Sequence, residues 1–234
     1  MPETAPDTYA LIPAAGTGTR MGLEIPKQYQ ALAGKPMICH AIETLCSLNA
    51  VQLVFVVLAP GDTRFREIEW GSYKRKVQPL YCGGDTRAAS VLNGLIAMAG
   101  GVDADDWVMV HDAARPCVTP ALLNQLMAEV TGHDTGGLLA VPVADTLKRA
   151  DGTQHVEGTV SREQVWQAQT PQMFRHGLLL EALRRAGVDQ VTDESSAVEL
   201  LGRKPRLVLG SPRNLKVTRP EDSAIAEIYL KTGV

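Results

Sequence analysis

Short apolar runs alternate along this chain with segments whose apolar residues recur three and four positions apart. Residues 9–13 (Tyr-Ala-Leu-Ile-Pro) read as a short buried strand, and Ile38, Ile42, Leu45 and Leu48 then follow at helical spacing. Residues 51–58 (Val-Gln-Leu-Val-Phe-Val-Val-Leu) carry the strongest strand pattern. It is nearly continuous rather than alternating, as expected of a parallel strand covered on both faces. The segment 62–73 predicts a charged, weaker helix. Residues 77–81 predict a strand, Val91, Leu92, Leu95 and Ile96 a helix, and residues 107–110 another strand. Thr119-Pro120 opens a helix in the favoured cap-then-proline order, with Leu122, Leu123, Leu126 and Val130 on it. Residues 138–143 predict a further strand.

This βαβαβαβαβ order implies an α/β fold: a doubly wound, mostly parallel, Rossmann-like sheet with helices on both faces. The stretch 145–166 breaks the pattern. It is polar and contains Asp151-Gly152, so it reads as a protruding hairpin or arm. Helices are expected over 175–186 and 193–201, a strand over 206–209, and an extension of the sheet edge over 215–218. Pro220 opens a last helix, with Glu221 and Asp222 suited to its first-turn dipole.

Composition narrows the class. The chain has 234 residues, 45% of them hydrophobic and 21% charged, which fits a single folded domain rather than a disordered chain. Lys and Arg number 23 against 26 Asp and Glu, a net charge of −3. That mild acidity argues against a nucleic-acid partner and leaves room for one anion-binding pocket. Cys39, Cys46, Cys82 and Cys117 form no C-x-x-C pair, so four buried thiols in a reducing compartment are expected. The N-terminus has no basic region followed by an apolar run, and no apolar run approaches the ~20 residues of a membrane span. A cytoplasmic protein with no membrane partner is the expectation.

Ligands of doubly wound sheets bind beyond the carboxyl ends of the strands, and three such ends carry chemistry. The first strand runs into Ala14-Ala-Gly-Thr-Gly-Thr-Arg-Met-Gly22, followed by Pro26-Lys27. Small residues let backbone N–H groups approach an anion, and Arg20 and Lys27 add two cations. The glycine spacing is not that of the dinucleotide fingerprint, the acid that fingerprint needs is missing, and no Gly-Lys-Ser/Thr follows. A nucleotidyltransferase pattern, G-x-G-x-R-x-G with a Pro-Lys pair, fits. The third strand ends in Cys82-Gly-Gly-Asp-Thr-Arg-Ala-Ala-Ser90. Asp85 there could cap a helix, but a second glycine loop on one sheet edge favours contact with a base or ribose. The fourth strand ends in His111-Asp-Ala-Ala-Arg-Pro116. Asp112 could hold Mg²⁺ or a ribose hydroxyl, or pair with Arg115. His111 reads as a packed or hydrogen-bonded histidine. The arm charges and Lys74-Arg-Lys76 read as solvated faces, and spacing alone makes no site of Thr192-Asp-Glu-Ser195. No arrangement suggests a covalent nucleophile.

Taken together, the motifs resemble the 2-C-methyl-D-erythritol 4-phosphate cytidylyltransferase family. The resemblance rests on Pro13 to Gly22, Pro26-Lys27-Gln28-Tyr29, Gly83-Gly84-Asp85, Val110 to Pro116, Thr170-Pro-Gln172, Thr192-Asp-Glu194 and Asn214 to Asp222. It covers nearly the whole chain, with a looser fit in length over 186–192. It implies CTP as co-substrate, Mg²⁺ as cofactor, a sugar-alcohol phosphate as acceptor and pyrophosphate as product. Carried over, it puts Ala14, Ala15, Gly16, Gly84, Asp85 and Ser90 around cytidine, and Asp112 and Ala113 near the ribose and α-phosphate. Arg20 and Lys27 match the catalytic cations. Thr146, Arg162, Thr170 and Lys216 match positions that hold the sugar phosphate. The arm is expected to hook onto a second subunit, so that its residues serve the neighbour's site in a homodimer. The rivals are a ribitol-5-phosphate cytidylyltransferase and a nucleotide-binding sensor without turnover.

Overall fold

The computed structural model describes residues 5–16, 25–188 and 190–232. In chain order the strands are β1 (Thr8–Pro13), β2 (Ala31–Leu32), β3 (Lys35–Pro36), β4 (Val51–Val57), β5 (Val77–Leu80), β6 (Trp107–Val110), β7 (Gly137–Pro142), β8 (Leu147–Ala150), β9 (Val156–Val160), β10 (Trp166–Arg175) and β11 (Arg206–Leu209). The α-helices are α1 (Met37–Ser47), α2 (Arg87–Met98), α3 (Pro120–Val130), α4 (His176–Ala186), α5 (Glu194–Glu199) and α6 (Pro220–Thr232). Seven strands form one sheet in the order β11-β7-β10-β6-β1-β4-β5. β1 pairs in parallel with β4 and β6, β4 with β5, and β11 with β7. β10 runs antiparallel to both of its neighbours.

The strand pleat divides the core. Ala10 and Ile12 of β1 point to the face covered by α1 and α3, while Tyr9 and Leu11 point to the face covered by α2, α4 and α5. Both faces are therefore apolar, which is why these strands read as continuous runs. Each large side chain so buried, Leu11 and Ile12 among them, contributes about 1.5–3 kcal/mol. The helix starts follow the capping residues. The Thr86 hydroxyl accepts from Ala89 N–H at 3.0 Å ahead of α2, and Thr119 accepts from Leu122 N–H at 3.3 Å with Pro120 at the first position of α3.

Five expectations need correction. Residues 62–73 form no α-helix but two 3₁₀ turns, Arg64–Glu67 and Gly71–Tyr73. Phe65, Ile68, Trp70 and Tyr73 all pack on the core, and their spacing of three, two and three does not fit one helical face. Residues 215–218 add no strand. They cross the carboxyl end of the sheet, where Val217 N–H donates to Ala114 O at 2.8 Å. Lys76 is half-buried rather than a free solvated charge: its ammonium donates to Cys46 O at 3.1 Å and Leu48 O at 2.9 Å, closing the carboxyl end of α1. Cys82 is only half-buried, while Cys39, Cys46 and Cys117 are buried and free. Burial pushes those three thiols up to about 11, 12 and 11.

The last correction is β10, which the hydrophobic pattern does not predict. Its sequence, Trp-Gln-Ala-Gln-Thr-Pro-Gln-Met-Phe-Arg, is polar at its centre, yet Gln169, Thr170 and Gln172 are buried. Pro171 sits where the pairing with β7 shifts register, between Ala168 and Gln172. Such irregularities are where a strand inside a sheet tolerates proline. The expected arm is present as the antiparallel pair β8–β9, a separate two-stranded sheet. Its turn is held by Asp151, whose Oδ1 accepts from Thr153 N–H at 2.8 Å and His155 N–H at 3.0 Å. No helix among the described residues is long and apolar enough to cross a membrane.

Candidate active site

Four neighbouring parallel strands, β5, β4, β1 and β6, end at one cavity of about 770 Å³. β1 has β4 on one side and β6 on the other, so the chain switches direction of travel here, and such switch points open a crevice for ligands. The loop after β1 supplies Ala14, Ala15 and Gly16, and the loop after β5 supplies Gly83, Gly84 and Asp85. Asp112, Ala113 and Ala114 follow β6, and Lys27 and Lys216 approach from opposite ends of the chain.

The two small-residue loops press against each other. Ala14 N–H donates to Val57 O and Gly83 N–H to Leu58 O, both at 2.8 Å. A Cβ on Gly83 would lie 2.1 Å from the Ala15 Cβ and 2.9 Å from Leu58 O, and one on Gly84 would lie 2.7 Å from the Ala89 Cβ. Only glycine permits both approaches. Gln28 shapes the first loop from below. Its Nε2 donates to Ala14 O at 2.8 Å and Gly16 O at 3.1 Å, so one buried amide fixes two carbonyls.

Asp112 is the electrostatic centre. Its Oδ1 accepts from Arg87 Nε and its Oδ2 from Lys216 Nζ, each at 2.7 Å. Burial alone would raise this carboxyl, but the Arg87 and Lys216 charges prevail and hold it well below the usual carboxylate range. Behind it, the Thr170 hydroxyl accepts from Asp112 N–H at 3.0 Å and lies 3.1 Å from His111 Nδ1. His111 is fully buried, with Nε2 3.1 Å from Arg115 O. Burial pushes it down to about 4, so it is neutral at pH 7, as a packed histidine should be. Lys27 has a lowered pKa because burial penalises its charge and Lys216 stands nearby. The cavity thus presents Lys27, Lys216 and Arg87 against the carboxylates of Asp85 and Asp112. Such a surface suits polyanions.

Of the residues singled out in the sequence, Ala14, Ala15, Gly16, Lys27, Gly84, Asp85, Asp112, Ala113 and Lys216 line this cavity together. Ser90 and Thr170 stand one layer behind. The Ser90 hydroxyl accepts from Gly84 N–H at 3.1 Å and donates to Thr86 O at 3.0 Å, so it holds the second loop in shape. Thr146 and Arg162 are exposed on and beside the arm, where the Arg162 guanidinium donates to Ala144 O. They do not reach the cavity of their own chain. Arg20 lies outside the described residues. Asp85 is not the cap of α2, a role taken by Thr86. Asp112 pairs with Arg87 and Lys216 rather than Arg115, whose guanidinium donates to Asn214 O at 2.7 Å.

Sequence reasoning left Arg87, Gln28, Gln172 and Glu194 without roles. Arg87 and Gln28 sit inside the quoted motifs, and their position beside the glycine loops was the available signal. Glu194 and Gln172 also sit in quoted motifs, but nothing in the sequence pointed to the partner of Glu194, which is 107 residues away. Among the described residues no group of three or more His, Cys, Asp or Glu side chains could cage a metal ion. Mg²⁺ keeps much of its water and takes phosphate oxygens as ligands, so one of the two cavity carboxylates, Asp85 or Asp112, would suffice to hold it beside a nucleotide.

The family model for 2-C-methyl-D-erythritol 4-phosphate cytidylyltransferase matches residues 8–232. The chain is 56% identical over 225 residues to the protein of that name from Nitrosospira multiformis, covering 95% of this chain and 97% of that one. It is 54% identical over 231 residues to the one from Azoarcus sp., covering 98% and 97%. Among solved structures, a 4-diphosphocytidyl-2C-methyl-D-erythritol synthase superposes with a TM-score of 0.86 at 39% identity, covering 97% of this chain and all of that one. The Francisella tularensis 2-C-methyl-D-erythritol 4-phosphate cytidylyltransferase gives 0.82 at 34% identity, covering 95% and 99%.

Proposed function

The chain belongs to the 2-C-methyl-D-erythritol 4-phosphate cytidylyltransferase family, and on that premise we propose how its cavity performs the reaction. The enzyme joins CTP to 2-C-methyl-D-erythritol 4-phosphate and releases pyrophosphate. A phosphate oxygen of the acceptor attacks the α-phosphorus of CTP in line, and the bond from that phosphorus to the bridging oxygen breaks. The attacking oxygen is already anionic, so no strong general base is needed. The obstacle is the mutual repulsion of two polyanions, which makes positioning and charge neutralisation the main tasks of the protein.

Lys27 and Lys216 bring cations to the phosphates from two sides, with Arg20, which the resemblance matches to a catalytic cation, as a third. They stabilise charge that grows on the transferring phosphorus and the departing pyrophosphate. The loops at Ala14–Gly16 and Gly83–Asp85 take the cytidine, with Ser90 shaping the second loop. Asp112 and Ala113 stand beside the ribose and α-phosphate. Bound Mg²⁺, held by Asp112 and phosphate oxygens, would supply further charge neutralisation. The acceptor lies against Lys216, and Thr170 fixes the backbone there. Thr146 and Arg162 complete that end of the site from the arm of a second subunit, so the working unit is a homodimer. The chain acts as one nucleotidyltransferase domain, cytoplasmic, without a nucleic-acid or membrane partner.

What supports this arrangement is the convergence of Lys27, Lys216 and Asp112 on one cavity opposite two glycine loops. Pyrophosphate release from CTP and Mg²⁺ tests it, with methylerythritol phosphate and ribitol 5-phosphate as parallel acceptors. Release with methylerythritol phosphate alone is expected. Release with ribitol 5-phosphate alone would keep the nucleotide site and move the acceptor assignment. Silence with both, from folded and CTP-binding protein, would indicate a sensor.

A further inference from the structure

Glu194 is a buried carboxylate, 1% exposed, that does not itself line the cavity. Its two oxygens accept from the two terminal nitrogens of Arg87, Oε1 from Nη1 at 2.6 Å and Oε2 from Nη2 at 3.0 Å. The remaining nitrogen of the same guanidinium, Nε, is the one on Asp112. The planar fork of arginine fits a bidentate carboxylate and fixes the third donor in direction. Glu194 therefore sets where Arg87 points, and Arg87 sets the rotamer of Asp112.

The anchor of this relay is itself held. Glu194 is the first residue of α5, whose start is clamped by the buried amide of Gln172. Gln172 Oε1 accepts from Ser195 N–H at 2.7 Å, and its Nε2 donates to Asp193 Oδ2 at 2.8 Å. Gln172 lies on β10 directly opposite Val110, two residues before Asp112. A charge pair buried this deeply is weak evidence of stabilisation, because desolvation offsets most of the attraction. Its geometry is better explained by aim than by stability. Arg87 also lines the cavity, and without a second carboxylate its free nitrogens would turn to the nucleotide phosphates.

We propose that Glu194 is a positioning residue for nucleotidyl transfer. Acting through Arg87, it keeps Asp112 in its working orientation and withholds Arg87 from the triphosphate. The inference rests on the role of Asp112 given above. The test is a double-mutant cycle on kcat with Glu194→Gln and Asp112→Asn in the full-length enzyme, with folding checked by thermal melting. In the wild-type background Glu194→Gln should lower kcat about ten- to thirtyfold and leave the KM for CTP unchanged or lower. With Asp112→Asn already present, it should lower kcat less than about threefold. Partial unfolding would scale both backgrounds alike, so equal losses would overturn the proposal, as would wild-type kcat in a folded Glu194→Gln enzyme. Wild-type kcat in Asp112→Asn would instead remove the role of Asp112. Should Glu194→Gln fail to fold, Arg87→Lys takes its place in the cycle. It keeps a cation but cannot span both carboxylates, and the same ratio of losses is expected.

Discussion

The nucleotide cavity and the arm are opposite kinds of structure. Around the cavity, three polar side chains are tied into the chain: Gln28 on two carbonyls, Thr170 between Asp112 and His111, and Arg87 between two carboxylates. Among the described residues, the arm strands β8 and β9 pair only with each other. Val156 is 66% exposed, and the Lys148–Thr159 and Asp151–Thr153 hydrogen bonds are internal to the hairpin. A lone two-stranded ribbon is marginal in water. The contrast is the one the proposed homodimer calls for: a cavity preorganised within one chain and an arm left free to serve another.

Four changes would break or sharpen this contrast, in decreasing order of expected effect. Lys27→Ala should lower kcat by about 10²–10³ in a protein that melts normally, because it removes a donor used mainly in the transition state. Steady-state pyrophosphate release measures this, and near-normal turnover would remove Lys27 from the mechanism. Acid should loosen the cavity side next. The folded pKa of His111 is about 4 against an ordinary 6.5, so the unfolded chain takes up a proton across that interval that the folded chain excludes. Stability falls as pH drops through the same window, by up to about 3 kcal/mol. His40, also lowered by burial, acts in the same direction. Asp112 contributes only at lower pH, from the ordinary carboxylate range downward, where the unfolded carboxyl protonates and the depressed folded one does not. Melting of the wild type and of His111→Asn at pH 7 and pH 5 separates the two histidines, since the variant should lose less on acidification.

Gly83→Ala should cost about 1–3 kcal/mol, because its Cβ meets Ala15 and a backbone carbonyl. It should also raise the KM for CTP by forcing the two loops apart, and calorimetric melting beside CTP titration tests both effects. The arm should behave oppositely. Thr146→Ala and Arg162→Ala should leave melting within about 0.5 kcal/mol. They should raise the KM for methylerythritol phosphate roughly tenfold, as expected for loss of one charged or hydrogen-bonded contact, without moving the KM for CTP.

The same contrast explains what was legible in the sequence. The continuous apolar strands, the glycine loops and the cations beside them follow local rules, and residues 9–13, 51–58 and 107–110 form strands where the pattern places them. β10 was hidden because its polar residues are buried for the sake of the cavity, so the apolar signal fails where function overrides it. Residues 215–218 were misread because short apolar alternation does not distinguish a strand from a crossing segment held by Asn214 and Ala114. Glu194 belongs to a quoted motif, but its role was illegible for a different reason. Its meaning depends wholly on Arg87, which only the tertiary fold brings near.

The proposed division of labour between the cavity of one chain and the arm of another is tested most directly by mixing two defective enzymes. Lys27→Ala damages the cavity and leaves the arm intact, while Arg162→Ala does the reverse. After subunit exchange at equal amounts, half of the dimers are mixed, and each mixed dimer holds one site with an intact cavity and an intact arm. Assayed with methylerythritol phosphate well below its KM, where both parents are impaired, activity should return to about a quarter of the wild-type value. A mixture no more active than the average of its two components would show that each chain supplies its own acceptor site, and the account would fail at its centre.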